Sequence, residues 1–238
     1  MKFPQMIDPV HDINGFRVYG FDSKEKLIDH IKDNPSILIA INAEKIYTGN
    51  EELKRLSQNG VGYPDGIGAV KAMRIKGVRD AIRIPGSELW LDIISALQCE
   101  DSVYLIGATD EVLTSTVNKL SRIYPKLNIA GYRNGFLNED DIVMLEKDII
   151  EKNPTVVFVA QGSPRQEILM QRLQLSHQAI YMGLGGSFDV FTGNVKRAPR
   201  LFRENGLEWL FRLLSQPTRI KRQKVLLPFF INLHRGKY

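Results

Sequence analysis

The chain has 238 residues, 43% apolar and 25% charged, with a net charge of +5, which excludes fibrous and disordered classes and leaves room for one large domain or a domain with an appendage. Its single cysteine, Cys99, excludes an internal disulfide framework, no run approaches the roughly 20 apolar residues that span a bilayer, and the N-terminus lacks the apolar run of a signal peptide. The charge is uneven: residues 196–238 carry 11 Lys/Arg against Glu204 and Glu208, for +9, whereas residues 1–195 are at −4, so the basicity belongs to the tail and asks for an anionic partner.

In chain order, residues 13–20 read as a short strand or hairpin. Residues 23–33 follow as a helix, with Leu27, Ile28 and Ile31 at helical spacing and Ser23 as N-cap. Ser36–Ile41 is a continuous apolar run of strand length, suited to a strand covered on both faces. Helices are expected over 51–58, closed by Asn59-Gly60, and over 67–74 and 86–97. Cys99, after the last of these, reads as a small buried residue. Asp101–Ile106 is a second buried strand, followed by a helix through Ile123 capped by Thr109 or Asp110, and then a strand over 127–131. That unit has the size of a βαβ crossover. Residues 138–151 are helical, Thr155–Ala160 is the clearest strand, and 179–184 is the last. Strands alternating with helices predict an α/β fold: a Rossmann-like, mostly parallel sheet with helices on both faces over 1–195, and a basic helical appendage over 196–238.

Parallel sheets bind ligands outside the carboxyl ends of their strands, which directs attention to a few segments. Asn42 ends the first buried strand and Gly107 the second. Gln161-Gly-Ser163-Pro-Arg165-Gln166-Glu167 leads from strand to helix, with Ser163 as the expected N-cap and Pro164 in the first turn; such a junction offers N–H groups to an anion, and Arg165 or Gln166 a side-chain contact. Gly185 and Gly186 let a diphosphate or base come close to the backbone, with Asp189 just beyond. In Pro64-Asp65-Gly66, proline fixes the backbone and glycine permits a left-handed turn. Asp65 is therefore either a rigidly held carboxylate or simply an Asx-type turn. The four histidines are scattered, and no metal motif, P-loop or dinucleotide fingerprint is present.

The tail alternates basic residues with Trp209, Phe211 and the apolar cluster Val225–Leu233. That pattern suits an anionic membrane surface, arginines reaching a diphosphate, or a helix solvated on one face. Nucleic acid is not expected, because the tail lacks an RNA-binding pattern and the body is acidic.

Taken together, Ile41-Asn42-Ala-Glu44, Pro64-Asp65-Gly66, Gly162-Ser-Pro-Arg-Gln166-Glu167, Gly183-Leu-Gly-Gly-Ser-Phe-Asp189, Lys196-Arg-Ala-Pro199 and Gly206-Leu-Glu-Trp-Leu-Phe-Arg212-Leu resemble the WecG/TagA/CpsF family of bacterial glycosyltransferases. The run Arg212–Gln223 looks closest to the branch that builds enterobacterial common antigen. That branch transfers N-acetylmannosaminuronic acid from UDP to undecaprenyl-diphosphate-linked N-acetylglucosamine. The resemblance implies an inverting transfer without a required metal or cofactor, at the inner face of the cytoplasmic membrane, and leaves a homo-oligomer open. It assigns Asp65 as general base and places Gln166 beside the substrate. Asn42, Gly185, Gly186 and Asp189 match segments lining the same pocket, to which the strand-end reading adds Gly107, Gln161, Ser163 and Arg165, and Arg212, Arg219 and Arg222 match the positions expected to offset charge on the leaving diphosphate. The teichoic-acid branch has a Thr where this chain reads Ala40-Ile-Asn42, so no role for that Thr carries over. A uronic acid donor calls for an Arg or Lys, for which Arg83, Arg133 and Arg165 are candidates. Competing readings are a family member using UDP-ManNAc or a UDP-hexose for teichoic acid, capsule or exopolysaccharide, a Rossmann-like NAD(P) oxidoreductase resting on Gly185-Gly186, and a non-catalytic basic module resting on the tail.

Overall fold

The computed structural model describes residues 10–204, 208–215 and 224–238, apart from the side chains of 203, 204, 212 and 215. The chain opens with an antiparallel hairpin, β1 (Val10–Ile13) and β2 (Phe16–Tyr19), turned by Asn14-Gly15. Helix α1 (Lys24–Asp33) is capped by Ser23, whose hydroxyl accepts the Lys26 N–H at 3.2 Å. Strand β3 (Ile37–Ile41) runs into α2 (Ala43–Thr48), and α3 (Glu51–Asn59) follows with Asn50 as N-cap. Then come β4 (Val61–Pro64), α4 (Ile67–Ile75), α5 (Gly86–Ser95) and β5 (Ser102–Gly107). Helix α6 (Asp110–Ile123) is capped by Thr109. Strand β6 (Asn128–Arg133) leads to α7 (Glu139–Lys152), which begins with a reciprocal Asn138–Asp141 capping box. The chain continues through β7 (Val156–Ala160), α8 (Arg165–Ser176), β8 (Ile180–Gly183) and α9 (Ser187–Thr192). The described helices of the tail are α10 (Arg200–Glu204), α11 (Glu208–Ser215) and α12 (Leu226–His234).

The large sheet has the strand order β4-β3-β8-β7-β5-β6, and its pairings from β3 through β8, β7 and β5 to β6 are all parallel. This is the expected mostly parallel α/β sheet flanked by helices. The chain divides into two compact units, residues 1–27, 40–85 and 200–238 in the first and residues 28–39 and 86–199 in the second, with β3 crossing the division.

The second unit is built on the centre of that sheet. Leu105, Phe158 and Met182 lie side by side across β5, β7 and β8, and all are buried. Every residue of β7 is buried, as a strand covered on both faces requires. Trp90 on α5 closes one side, edge-on to Phe158, Phe188 and Phe191 at 5.1–5.8 Å between ring centroids.

The first unit places β2 against β4 so closely that a Cβ on Gly62 would sit 2.2 Å from the Arg17 carbonyl oxygen, which explains a glycine inside a strand. Its helix α12 seats Phe229 and Leu233 inward, both fully buried. Phe229 meets Gly68 of α4, where an added Cβ would lie 3.0 Å from the ring. The apolar cluster of the tail is therefore split: Phe229 and Leu233 belong to the core, while Leu227 and Ile231 face outward, at 72% and 43% exposed.

Two expectations change. Cys99 is exposed, because α5 ends at Ser95 and leaves it on a surface turn. Strand β4 and helix α2 are elements the sequence did not announce. Among the described residues no helix is long and apolar enough to cross a membrane, and no group of three or more His, Cys, Asp or Glu is placed to hold a metal ion.

A buried polar knot ties the amino ends of β7 and β8 together. His177 lies between Asn153 Oδ1, 3.0 Å from Nε2, and the Tyr181 hydroxyl, 3.2 Å from Nδ1, while that hydroxyl donates to the His177 carbonyl at 3.0 Å. Burial favours the neutral imidazole and lowers its pKa below the ordinary value. With the folded pKa below the unfolded one, the unfolded chain binds more protons, and stability falls as pH drops from about 6.5 toward the folded value. The urea midpoint should therefore decline on acidification through that window, and His177→Gln should flatten the decline.

Candidate active site

The carboxyl ends of β3 and β4 bring Asn42 and Asp65 together in the first unit. The Asp65 N–H donates to the Ile41 carbonyl at 2.9 Å, and the Asp65 carbonyl accepts from Arg83 Nε at 3.0 Å. One residue back, the Pro64 carbonyl accepts the Ile84 N–H at 2.9 Å. Asp65 is thus anchored through its own backbone to two neighbouring segments, half-buried. The expected left-handed glycine turn is absent: Gly66 has φ −117° and serves as the N-cap of α4. The chain turns here by entering a helix, and a Cβ at position 66 would meet Asn42 Cβ at 3.6 Å, an ordinary contact that places Asn42 beside this turn. Asn42 caps α2, its Oδ1 accepting the Lys45 N–H at 3.0 Å.

Arg83 also donates through Nη2 to Glu208 Oε2 at 2.7 Å. Glu208 begins α11, the helix that carries Arg212. The Arg212 side chain, and Arg219 and Arg222 entirely, lie outside the described residues.

In the second unit the carboxyl ends of β5, β6, β7 and β8 carry a connected set of loops. Gly107 leaves β5 at φ +127°, and a Cβ there would strike the Ala160 carbonyl oxygen at 2.4 Å, so only glycine fits. The next residue, Ala108, donates to the Ala160 carbonyl at 3.1 Å and accepts the Gly135 N–H at 2.9 Å. Gln161 Nε2 donates to the Gly135 carbonyl at 2.9 Å. Asn134 holds Asp110 and accepts the Phe136 N–H, leaving the Phe136 ring 75% exposed.

Gln166 is the buried link between two further loops. Its Oε1 accepts the Gly162 N–H at 3.1 Å and the Gly185 N–H at 2.9 Å. Its Nε2 faces Glu167 at 3.3 Å. Gly183 leaves room for it, since a Cβ there would sit 2.4 Å from Nε2. Gly162 and Gly185 have φ +80° and +56°, and an added Cβ on either would meet nothing within 4 Å, so their backbones face open space. Gly186 and Ser163 are exposed beside them. Asp189 is half-buried in the first turn of α9, its carbonyl accepting the Val195 N–H at 3.0 Å.

Ser163 does not cap α8. The capping position is Pro164, which has no side-chain acceptor, and the helix starts one residue later than its sequence suggests. Arg165 stands exposed at that start. Of the three cations considered for a donor carboxylate, Arg83 is paired with Glu208 and Arg133 with Asp141, while Arg165 has no ion pair among the described residues.

Sequence reasoning thus located Asn42, Gly107, Gln161 and the paired glycines at strand ends and Gln166 at a helix entry, and put Asp65 on a loop without foreseeing the strand before it. It passed over Asn134-Gly135-Phe136, although Asn-Gly after a strand is a turn signal, and gave Arg83 and Glu208 no joint part. Chemically, the first unit offers a fixed carboxylate, and the second offers backbone N–H groups and one exposed guanidinium at glycine-rich turns. Residues 12–237 match the glycosyl transferase WecG/TagA/CpsF family. Nearly the whole chain is covered, and it belongs to that family of glycosyltransferases.

Proposed function

We propose that the enzyme transfers N-acetylmannosaminuronic acid, or a closely related N-acetylhexosamine, from UDP to undecaprenyl-diphosphate-linked N-acetylglucosamine, working peripherally on the inner face of the cytoplasmic membrane. The observation that carries this reading is the anchoring of Asp65 at the end of β4, with Asn42 beside it. A base must be held in one place to take a proton as the new bond forms. Asp65 removes the proton from the acceptor sugar hydroxyl, that oxygen attacks the anomeric carbon from the face opposite the nucleotide, and the carbon–oxygen bond to UDP breaks with its electron pair leaving on the diphosphate. One displacement inverts the anomeric configuration.

The backbone N–H groups of Ser163, Arg165 and Gly186, beside the two glycine N–H groups that Gln166 holds inward, suit the departing diphosphate, as do Arg212, Arg219 and Arg222. Arg165 is the cation suited to a donor carboxylate. The +9 tail supports attachment to an anionic lipid surface.

The test is a donor panel with purified enzyme, undecaprenyl-type diphosphate-N-acetylglucosamine and UDP release as the readout. UDP-N-acetylmannosaminuronic acid should be used at least about tenfold faster than UDP-N-acetylmannosamine, UDP-N-acetylglucosamine or UDP-glucose, a discrimination of about 1.4 kcal/mol. Equal use of the uncharged sugars would remove the uronic acid assignment, and no acceptor-dependent UDP release from any donor would remove the acceptor.

A further inference from the structure

Arg83 is held from two sides by groups far apart in sequence. Its Nε donates to the backbone carbonyl of Asp65 at 3.0 Å, and its Nη2 donates to Glu208, 125 residues away, at 2.7 Å. Both side chains are largely shielded, at 22% and 12% exposed. A guanidinium is a planar fork whose donors point in fixed directions, so one side chain can set the distance between a carbonyl and a carboxylate. The carbonyl it grips belongs to Asp65 itself, one bond from the Cα that bears the carboxylate. Any shift of the guanidinium moves that carboxylate. At the other end, Glu208 sits in the first turn of α11, where the helix dipole favours an acid. It is a buried acid in a tail of 11 basic residues, and Arg83 is a cation it meets from a distant segment of the chain.

We propose that Arg83 is a positioning residue for transfer: clamped by Glu208 of α11, it holds the Asp65 carbonyl and so aims the Asp65 carboxylate, making the seating of α11 a condition of catalytic competence. This rests on the reading of Asp65 as general base and adds to it a link between the base and the basic tail. The tail then contributes to turnover through the protein interior as well as through the charges it presents.

Three variants and Asp65→Asn test it together. Arg83→Lys keeps a cation for Glu208 but loses the fork, so turnover should fall about twentyfold, the effect of a small misplacement of a reacting group, with the donor KM within about twofold and the unfolding midpoint unchanged. The charge-swapped double variant Arg83→Glu, Glu208→Arg restores an ion pair without a donor on the Asp65 side; it should keep the unfolding midpoint of the unaltered enzyme but not its kcat. A native midpoint together with a native kcat in that double variant would make Arg83 a mere anchor and overturn the proposal, as would normal kcat in Arg83→Lys. Should Arg83→Lys unfold, Glu208→Gln gives the same reading, because the neutral amide keeps the shape and loosens the guanidinium: kcat should fall at constant KM, and normal kcat overturns the proposal. Asp65→Asn separates the two readings. If it turns over normally, the base assignment fails and this inference with it; if it is inactive while Arg83→Lys is normal, only this inference fails.

Discussion

Asp65→Asn should lower turnover by about a thousandfold while leaving UDP-sugar binding within about twofold, because general-base assistance is worth about 10² to 10⁴. The substitution keeps the size and replaces the carboxylate with a neutral amide that cannot take up a proton. The bonds from the residue 65 backbone to Ile41 and Arg83 survive the change. A loss of activity cannot then be blamed on a collapsed loop, provided the unfolding midpoint is unchanged. Steady-state kinetics with varied donor, paired with calorimetric titration of the nucleotide sugar, would separate the two effects. A lowered kcat at unchanged donor affinity supports the base. Weakened donor binding with intact kcat would make Asp65 a binding residue, and unchanged kinetics would remove it from the mechanism.

Much of the fold could be read from local pattern, and the reason is physical. Ser36–Ile41 and Thr155–Ala160 are apolar without interruption because their strands are covered on both faces, a signal needing no partner to interpret. Ser23, Thr109 and Asn138 announce helix starts because a capping oxygen acts within three residues. Strand β4 was illegible: Gly-Val-Gly-Tyr-Pro has two glycines and a proline in place of strand formers, and Gly62 is there to let the Arg17 backbone approach. Ser163 misled because its pattern fits a capping box while the chain puts Pro164 at the cap. The tail was undecided for a different reason. Its apolar cluster left a membrane surface, a diphosphate-binding arm and a helix packed on one face all open, and the packed face is set from afar: Phe229 is buried against Gly68 while Leu227 stays outside, a choice made by a glycine some 160 residues earlier. The site followed the same division. Residues tied to strand ends were found by rule, whereas the Arg83–Glu208 pair depends on chain segments no spacing connects.

Gln166→Leu should reduce kcat/KM about a hundredfold, chiefly through a raised donor KM. In sequence Gln166 looks like a side chain for the substrate, but its Oε1 already accepts both the Gly162 and Gly185 N–H groups, and it is 5% exposed. Its part is to fix the spacing of two glycine turns whose remaining backbone faces open space. Leucine fills similar volume and accepts nothing, so two inward-facing donors lose their acceptor together. Leaving a buried donor unsatisfied costs about 1–3 kcal/mol; the turns can relieve that cost by rotating the N–H groups outward, which spoils the donor cradle. A hundredfold effect corresponds to about 2.7 kcal/mol and lies within that range. Gln166→Glu is the informative companion: a carboxylate keeps the two acceptor contacts but brings negative charge beside the buried Glu167, 3.3 Å away in the native pairing. It should therefore restore the loop geometry best at acidic pH, so that donor KM improves as pH falls. A Gln166→Leu enzyme with native donor KM and lowered kcat would instead place the Gln166 amide at the reacting sugar. In that case the two glycine turns hold their spacing without it, and the donor cradle must be sought in the Gly107–Gln161–Gly135 set of loops.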